Sequence, residues 1–245
     1  MSSSPPDERR PRLHFAVPAG WLNDPNGMIF HDGEYHLFYQ HNPDAMVWGP
    51  MHWGHAVSRD LVRWEPLPIA LRPDEHGQIF SGSVVRDAAD SAGFGAGAIV
   101  AIYTQWRPED HRQVQSLAVS HDRGRSWTPF AGNPVLFPDG QRDFRDPRVL
   151  WYDTPAGGHW VMLLAVGQEV WFYRSPDLKQ WTHTGRFGAE HGAHDGVWEC
   201  PELLQLPVDG GPERRWVLAI GVLRGAPAGG SGTQYFVGDF DGAQF

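Results

Sequence analysis

The 245-residue sequence contains a single cysteine, Cys200, and no apolar run that approaches the length of a membrane-spanning helix. One cysteine cannot form an intramolecular disulfide, which excludes the disulfide framework of a small secreted domain. A helix needs roughly 20 apolar residues to cross a bilayer, so no membrane partner is predicted. Residues 1–12 lack the apolar core of a secretory signal, and we expect them to form a disordered tail on a cytoplasmic protein.

Positive charge is also scarce. Twenty Lys and Arg residues stand against 29 Asp and Glu residues, which gives a formal net charge of −9. A protein that binds nucleic acid or an anionic membrane surface needs a basic surface to contact the phosphates. The composition therefore argues against both kinds of partner.

Aromatic and turn-forming residues, by contrast, are abundant, with 12 Trp, 29 Gly and 21 Pro. Such a composition is typical of short strands joined by tight turns, and no long stretch shows the 3.6-residue apolar period of a surface helix. We predict an all-β domain over residues 13–245. The clearest strand-like runs are 34–40, 99–105, 113–120, 160–166 and 215–222.

A weak internal repeat narrows the fold prediction. The pattern Ser-x-Asp followed by Trp occurs three times, and its aspartates are 62 and 55 residues apart. A unit of this length holds about four strands with their turns, which is one blade of a β-propeller. The sequence contains about four such units, which favours a propeller over a β-sandwich. The three copies begin at Ser58, Ser120 and Ser175 and end at Trp64, Trp127 and Trp181.

Three acidic residues stand in unusual local sequences that are in phase with this repeat. Asp24 lies in W-L-N-D-P-N-G, Asp146 in F-R-D-P and Glu199 in W-E-C-P. Each of three residues follows the Trp of its repeat at a similar distance. Asp146 lies 19 residues after Trp127, Glu199 lies 18 after Trp181, and Ser81 lies 17 after Trp64. The first strand of each propeller blade lines the central axis, so we expect these residues to converge on one funnel.

Each motif also has a purely structural interpretation. N-D-P-N-G suits a tight turn, Arg145 and Asp146 suit a surface ion pair, and Glu199 suits a solvated glutamate. The functional interpretation rests on the three carboxylates recurring together in phase with the repeat. The 13 His residues show no metal-ligand spacing, and no nucleotide-binding or nucleophile-elbow motif is present, so we predict no metal and no cofactor.

Taken together and in this order, the three motifs resemble the signatures of glycoside hydrolase family 32, and the similarity runs from Leu13 to Phe245. That family contains invertases, sucrose-6-phosphate hydrolases, levanases and inulinases. The resemblance implies a five-bladed β-propeller with an axial pocket, of which about four blades are present here. It implies Asp24 as nucleophile, Glu199 as acid/base and Asp146 as transition-state stabiliser. The sugar-binding positions that it implies are Trp21, Asn23, Gln40, Trp48, Phe80, Ser81 and Arg145.

The activity that the resemblance implies is hydrolysis of terminal β-D-fructofuranosyl residues with retention, through a covalent fructosyl-enzyme intermediate. We expect backbone N–H groups of the N-D-P-N-G segment to lower the pKa of Asp24. We expect Trp198 to desolvate Glu199 and raise its pKa, and Arg145 to keep Asp146 charged. The carboxyl groups of Asp24 and Glu199 are predicted to lie about 5–5.5 Å apart, as retention requires.

Two alternatives to a fructosidase stay open on the sequence. One is an inverting arabinan- or xylan-directed hydrolase on a similar propeller, and the other is a catalytically impaired paralogue or sugar-binding module. Relative to the family, the chain ends early, after a segment (232–242) that resembles the end of the fourth unit. We therefore expect a truncated, incomplete propeller, whose unpaired strand edges invite self-association.

Overall fold

The computed structural model describes residues 11, 13–138 and 140–245, and this part of the chain is built from β-strands and connecting loops. Apart from Pro11, the tail predicted for residues 1–12 lies outside the described residues. No helix long and apolar enough to cross a membrane occurs in the described ranges. The strands are β1 (Trp21–His31), β2 (Glu34–Asn42), β3 (His52–Ser58), β4 (Trp64–Leu71), β5 (Gln78–Asp87), β6 (Ala98–Arg107), β7 (Arg112–Ser120), β8 (Thr128–Pro129), β9 (Arg145–Thr154), β10 (Gly157–Val166), β11 (Glu169–Ser175), β12 (Thr182–Phe187), β13 (Val197–Pro207), β14 (Arg214–Leu223) and β15 (Gly232–Gly238).

The strands form four antiparallel sheets, each built from consecutive strands. Three sheets have the orders β1-β2-β3-β4, β5-β6-β7-β8 and β9-β10-β11-β12, and the fourth has the order β13-β14-β15. The first strands of the sheets, β1, β5, β9 and β13, contact one another in succession. This is the arrangement of blades about a propeller axis, so the predictions of an all-β fold and of about four blades are confirmed.

Local sequence explains where the strands lie. The five predicted runs fall within β2, β6, β7, β10 and β14, which confirms the link between alternating or apolar runs and strands. Between β1 and β2 the chain reverses at Asp32 and Gly33, whose φ angles are 48° and 81°. Two successive left-handed residues form the tight hairpin turn that Asp-Gly favours.

The Ser-x-Asp…Trp repeat forms the turn between the third and fourth strands of the first three sheets. In the second sheet, the Ser120 hydroxyl donates to Asp122 Oδ1 at 2.8 Å, and the same oxygen accepts the Ser126 backbone N–H at 2.9 Å. Trp127 Nε1 donates to the Gly124 carbonyl at 3.1 Å. Side-chain hydrogen bonds thus replace backbone pairing where the chain reverses. The corresponding hydroxyl–carboxylate contacts are Ser58–Asp60 at 3.2 Å and Ser175–Asp177 at 3.1 Å.

A similar turn follows β15. Asp241 Oδ1 accepts the backbone N–H groups of Ala243 and Gln244, both at 2.8 Å, as the repeat aspartates do in the other sheets. Segment 232–242 therefore corresponds to a third strand and the turn after it. The sequence analysis interpreted this segment as the end of the fourth unit, whereas in the structure it contains the third strand of the fourth sheet.

Apolar side chains fill the spaces between neighbouring sheets. Between the first and second sheets, Phe38, Trp53 and Tyr103 are at most 1% exposed. Full burial of such a side chain contributes about 1.5–3 kcal/mol, so this packing fixes each sheet against the next and holds the inner strands around the axis. The space between the second and third sheets contains Ile102, Leu117, Phe144 and Met162. The space between the third and fourth sheets contains Phe172, Trp198, Leu203 and Leu218.

Candidate active site

Each of the four innermost strands has a β-bulge at the same place. On β1, the three-residue step from Leu22 to Pro25 faces a two-residue step on β2, from His41 to Tyr39. The same three-against-two irregularity occurs on β5, β9 and β13. A bulge adds one residue, bends the strand and turns its side chains toward a new direction. The residues inside the bulges are Asn23 and Asp24, Phe80 and Ser81, Asp146 and Pro147, and Cys200 and Pro201.

The three predicted carboxylates occupy three successive positions of this shared bulge. Glu199 is the last paired residue before its bulge, Asp146 is the first bulge residue and Asp24 is the second. The sequence predicted that the three residues occupy equivalent positions in successive blades, and in the structure those positions differ by at most two residues along the strand. Asp146 and Cys200 have φ angles of 60° and 49°, a left-handed backbone that non-glycine residues adopt rarely and that concentrates at functional sites.

The Asp24 carboxylate is held by side chains from two other sheets. Ser81 Oγ donates to Asp24 Oδ2 at 2.7 Å, and Cys200 Sγ lies 3.7 Å from the same oxygen. The N-D-P-N-G segment is not a turn, because it lies inside β1, where Asn26 Nδ2 donates to the Asp24 carbonyl at 3.2 Å. The prediction that turn N–H groups hold this carboxylate is therefore corrected, since a hydroxyl and a thiol from across the axis contact it.

The Asp146 carboxylate is buried, and only 6% of the residue is exposed. Its Oδ2 accepts the backbone N–H of Cys200 at 2.9 Å, while its own N–H donates to Thr104 Oγ1 at 3.0 Å. Burial raises the pKa of Asp146 to about 6, Arg145 opposes this shift, and the neighbouring Asp24 adds to it. Arg145 thus favours the charged form, as expected, but burial outweighs it, so the pKa of Asp146 lies above its ordinary value while the carboxyl stays mostly ionised at neutral pH.

Arg145 connects the acidic residues of the site. Its Nη1 donates to Asp143 Oδ1 at 2.6 Å and its Nη2 to Glu199 Oε1 at 3.0 Å, while Nε lies 4.0 Å from Asp146 Oδ2. Burial alone would lower the pKa of Arg145, but the carboxylates of Asp146, Asp143 and Glu199 raise it. The planar guanidinium makes these contacts in a fixed geometry, so Arg145 orients Glu199 and balances part of the negative charge.

Glu199 is half-buried, with 30% of its side chain exposed. Trp198, which was predicted to desolvate it, is fully buried between the third and fourth sheets, and its Nε1 donates to the Ala193 carbonyl at 2.8 Å. Successive side chains of a strand point to opposite faces, so Trp198 and Glu199 face apart. The predicted role of Trp198 is wrong, and Arg145 is the residue that contacts the Glu199 carboxylate.

Cys200 lies between the two aspartates, and its thiol was not assigned a role from the sequence. Its Sγ is 3.6 Å from Asp146 Oδ2 and 3.7 Å from Asp24 Oδ2. Cys200 is exposed as a residue, but desolvation of its thiol, followed by repulsion from Asp146, Asp24 and Glu199, raises the pKa of Cys200 well above its ordinary value. The thiol therefore stays protonated and can donate to either aspartate.

A cavity of about 860 Å³ brings the predicted site residues together. Its lining includes all ten of them, although they come from four sheets: Trp21, Asn23, Asp24, Gln40, Trp48, Phe80, Ser81, Arg145, Asp146 and Glu199. Four further residues line it that sequence reasoning missed, namely Trp106, Gln113, Leu223 and Arg224. These four lie at the ends of β6, β7 and β14 or just beyond, where no motif marks them.

One side of the cavity is an aromatic wall. The rings of Phe80 and Trp106 stack with centroids 5.3 Å apart, and Trp48 packs 5.7 Å from Trp106 while remaining 48% exposed. At the base of the wall, Gln40 Nε2 donates to the Ile79 carbonyl at 2.9 Å, which fixes the direction of its amide. Apolar walls with a few convergent polar groups are typical of a small-molecule site.

The carboxylates mark the inner end of this cavity. A second cavity, of about 280 Å³, lies on the other side of the bulges and is lined by residues that follow them, such as Pro25, Gly82 and Pro201. Ser81 and Asp146 line both cavities. A ligand that enters the larger cavity therefore meets the carboxylates at its innermost end. No group of three or more His, Cys, Asp or Glu side chains in the described ranges is arranged to hold a metal ion.

A known protein family matches nearly all of the chain. The family model described as the glycosyl hydrolases family 32 N-terminal domain matches residues 14–245. This chain belongs to glycosyl hydrolase family 32. The family resemblance that the three motifs indicated is thereby confirmed. In this chain the same motifs supply the carboxylates of Asp24, Asp146 and Glu199 that line the cavity.

Relatives within family 32 agree with the chain over almost its whole length. The levanase of Bacillus subtilis is 57% identical over 243 residues, which are 98% of this chain and 35% of the levanase. The structure of exo-inulinase from Aspergillus awamori has a TM-score of 0.90 and 39% identity, and the match covers 97% of this chain and 52% of that one. The structure of the fructofuranosidase of Schwanniomyces occidentalis in complex with fructose has a TM-score of 0.89 and 38% identity. That match covers 96% of this chain and 47% of the fructofuranosidase. The chain thus spans about half or less of the length of these family 32 relatives.

Proposed function

We propose that this protein hydrolyses terminal β-D-fructofuranosyl residues of fructosides with retention of configuration at C2. The observation that carries the proposal is the meeting of Asp24, Asp146 and Glu199, from three different sheets, at the inner end of one cavity. A cavity that ends at the reacting groups accepts the end of a sugar chain, which supports cleavage of the terminal residue. The names of the levanase, exo-inulinase and fructofuranosidase relatives describe the same class of substrate.

In the first chemical step, Glu199 donates its proton to the leaving-group oxygen while a carboxylate oxygen of Asp24 attacks C2 of the fructosyl unit. The bond between C2 and the leaving oxygen breaks, and its electron pair stays on that oxygen. The alcohol departs with the proton from Glu199, and the fructosyl unit is bound to Asp24. Ser81 fixes the direction of the Asp24 carboxylate through its 2.7 Å hydrogen bond.

In the second step, water replaces Asp24 at C2. The Glu199 carboxylate takes a proton from the incoming water, the water oxygen bonds to C2, and Asp24 leaves as a carboxylate. Two displacements on opposite faces restore the original configuration. The net reaction consumes one fructoside and one water and releases fructose and an alcohol.

Asp146 stabilises the charge that develops between these steps. The transition state resembles an oxocarbenium ion, so an ionised carboxylate that accepts hydrogen bonds from ring hydroxyls favours it over the ground state. Arg145 contributes by orienting Glu199, 3.0 Å away, toward the leaving group. The aromatic wall of Trp48, Phe80 and Trp106 supplies apolar surface for the sugar ring.

The test is a comparison of Asp24→Asn and Glu199→Gln with the wild type of the whole protein, with glucose release from sucrose as the readout. Each variant is expected to lose at least about a thousandfold in kcat/KM, because each removes a group that acts in the transition state. Glu65→Gln, at an exposed glutamate of β4, is the matched control and is expected to retain the wild-type rate. Wild-type rates in either site variant would contradict the proposal.

The stereochemistry of the first product separates the proposal from its alternatives. NMR during hydrolysis is expected to show β-fructofuranose first, whereas the opposite anomer would favour an inverting arabinan- or xylan-type hydrolase. Binding of sucrose without turnover would favour a sugar-binding module. The predicted 5–5.5 Å separation of the Asp24 and Glu199 carboxyl groups stays a prediction, which a crystal structure of the whole protein measures.

We propose sucrose and the ends of inulin and levan as substrates, because these are the fructosides that the relatives' names indicate. Initial rates on the three, measured under one set of conditions, rank them. The cytoplasmic location predicted from the sequence stays a prediction that cell fractionation tests.

We also propose that the protein self-associates through the exposed apolar side chains of the first and fourth sheets. Met28 and Phe30 on β1 are 60% and 61% exposed, and Tyr235 and Val237 on β15 are 69% and 57% exposed. Apolar surface of this kind favours a protein partner. Sedimentation equilibrium of the whole protein tests the proposal, and a monomer at micromolar concentration would contradict it.

A further inference from the structure

Arg224 lines the cavity together with Glu199 but takes no part in the network of Arg145. It directly follows β14 and is exposed. Within the described part of the chain, no group forms a hydrogen bond or ion pair with its guanidinium. Arg145, by contrast, is occupied by three carboxylates. Arg224 therefore offers the cavity a cation whose N–H donors are free to bind a ligand.

The backbone of Arg224 is held in place by tight packing. Its φ angle is 62°, the left-handed region that a non-glycine residue rarely adopts. A Cβ on Gly196 would lie 1.9 Å from the Arg224 carbonyl oxygen, and a Cβ on Gly225 would lie 2.5 Å from the Asp195 carbonyl oxygen. The two backbone segments are thus in direct contact, because glycine on each side leaves room for no side chain. Strain of this kind persists where the surrounding structure enforces it, so the packing fixes the backbone position of Arg224 at the cavity.

The strand register places Arg224 on the outer side of Glu199. On β13 and β14, Glu199 pairs with Gly221 and Val197 pairs with Leu223, so Arg224 lies beyond both pairs. The bulge residues follow Glu199 in the other direction along β13, toward the second cavity. In the proposed reaction the terminal fructosyl unit binds beside Asp24 and Glu199, and a leaving group that extends outward from its C2 would pass Glu199 toward Arg224.

We propose that Arg224 binds hydroxyl oxygens of the leaving group, so that the site prefers fructosides whose leaving group is itself a sugar. This inference rests on the proposed function and names the residue that selects its substrate. A guanidinium presents five N–H donors in a planar fork and is weakly hydrated, which suits neighbouring hydroxyl oxygens. The three site carboxylates and the net charge of −9 disfavour an anionic leaving group, which points to a neutral sugar.

The test compares two substrates on the whole protein. Sucrose has a leaving group with many hydroxyls, whereas methyl β-D-fructofuranoside releases methanol, which offers Arg224 no further hydroxyl. The variant is Arg224→Gly, because glycine adopts φ near 62° without strain and removes only the side chain. Arg123→Gly is the matched control, since Arg123 is an exposed arginine with a φ of 58° in the turn between β7 and β8.

Arg224→Gly is expected to lower kcat/KM for sucrose by about 10- to 100-fold, mainly through a higher KM, which is the effect of losing a hydrogen bond to a charged group. For methyl β-D-fructofuranoside the expected loss is less than about threefold, and Arg123→Gly is expected to change neither value. Equal losses on both substrates, or an unchanged value for sucrose, would overturn the assignment of Arg224. A wild-type protein that cleaves neither substrate would instead overturn the proposed function, so the two failures are distinguishable.

Discussion

Asp146 combines burial with charge, which destabilises the folded protein while serving the proposed reaction. Burial raises its pKa from 3.8 to about 6, and a shift of this size corresponds to about 3 kcal/mol. The shift remains this large despite Arg145, because its guanidinium is divided among Asp143, Glu199 and Asp146, and the contact with Asp146 is the longest at 4.0 Å. A residue that lowers stability in this way is typical of a functional site.

Asp146→Asn is therefore expected to stabilise the protein and remove its activity. The folded-state pKa of Asp146 lies above the unfolded value of 3.8, so the destabilisation is absent below pH 3.8 and complete above about pH 6. The variant is expected to gain about 1–3 kcal/mol in free energy of unfolding at pH 7.5 and almost nothing at pH 4. Urea denaturation at both pH values measures this, and an equal gain at both would contradict the assigned pKa.

Sequence reasoning found the site residues that belong to motifs and missed those that do not. Asp24, Asp146 and Glu199 were predicted because each stands in a distinctive segment in phase with the repeat. Trp106 and Arg224 were missed because they reach the cavity from strand ends, where only the fold brings them close. The roles expected from sequence neighbours were the least accurate. Adjacent residues of a strand face apart, as Trp198 and Glu199 do, so closeness in sequence did not mean contact.

At the scale of the strand, the shared bulge is the element that builds the site. It occurs on β1, β5, β9 and β13 at one level of the axis, directly where the predicted carboxylates lie. In the second sheet the bulge is tied to its neighbours through Gly82, whose N–H donates to Asn26 Oδ1 at 3.1 Å. A Cβ at Gly82 would lie 2.1 Å from the Ile102 carbonyl oxygen and 2.7 Å from Tyr103 Cα, and both atoms belong to the backbone.

Gly82→Ala is expected to move the bulge and with it Ser81, which holds Asp24. Because the obstructing atoms are backbone, the strands must separate locally, with an expected loss of about 2–4 kcal/mol in stability. Displacement of the nucleophile by a fraction of an ångström is expected to lower kcat/KM about tenfold to hundredfold. Thermal unfolding and sucrose hydrolysis measure the two effects.

Gly33→Ala is the matched control for this prediction. It adds the same methyl group in the hairpin turn between β1 and β2, where nothing lies within 4 Å of the new atom and only the φ of 81° opposes it. We expect a stability loss of about 1–2 kcal/mol and an unchanged kcat/KM. If the two variants lost activity equally, the bulge of β5 would not be what positions Ser81.

The strands themselves were predictable from the sequence, whereas the bulges were not. Runs such as 99–105 and 160–166 are short, apolar and bounded by turn residues, and this pattern within a single segment already favours a strand. A bulge depends on which residues of the next strand are paired, and register is a property of two segments rather than one. The N-D-P-N-G segment shows the difference, because its composition suits a turn while its pairing with β2 makes it a bulged strand.

At the scale of the whole molecule, contacts between sheets decide how firmly the inner strands surround the axis. The first and second sheets are joined by apolar packing and by an ion pair of 2.7 Å between Glu34 and Arg125. Beneath this ion pair lie two buried histidines of the first sheet, His36 and His55, whose ring nitrogens are 3.1 Å apart. His55 also stacks on Phe38 with a centroid distance of 4.1 Å, so the pair is part of the core.

This pair of histidines is expected to make the whole fold less stable in mild acid. Burial is the main cause that lowers the pKa of His36 to about 4 and that of His55 to about 3, from an ordinary 6.5. The unfolded chain therefore binds protons below pH 6.5 that the folded chain refuses until about pH 4. Stability is lost over that interval by up to about 1.4 kcal/mol per pH unit for each histidine. The charged and titratable groups that act on the pair are His31, Glu34, Arg123 and Arg125.

The double variant His36→Gln with His55→Gln tests this expectation, because glutamine does not titrate. We expect the variant to be less stable than the wild type at pH 8, since it places two amides in the core, but to lose much less stability between pH 6.5 and 4.5. His121→Gln, at an exposed histidine, is the control and is expected to keep the wild-type slope. The measurement is the free energy of unfolding in urea at half-unit pH steps. A double variant with the wild-type slope would show that the acid sensitivity lies elsewhere in the molecule, since only the slope reports how many protons the folded state excludes.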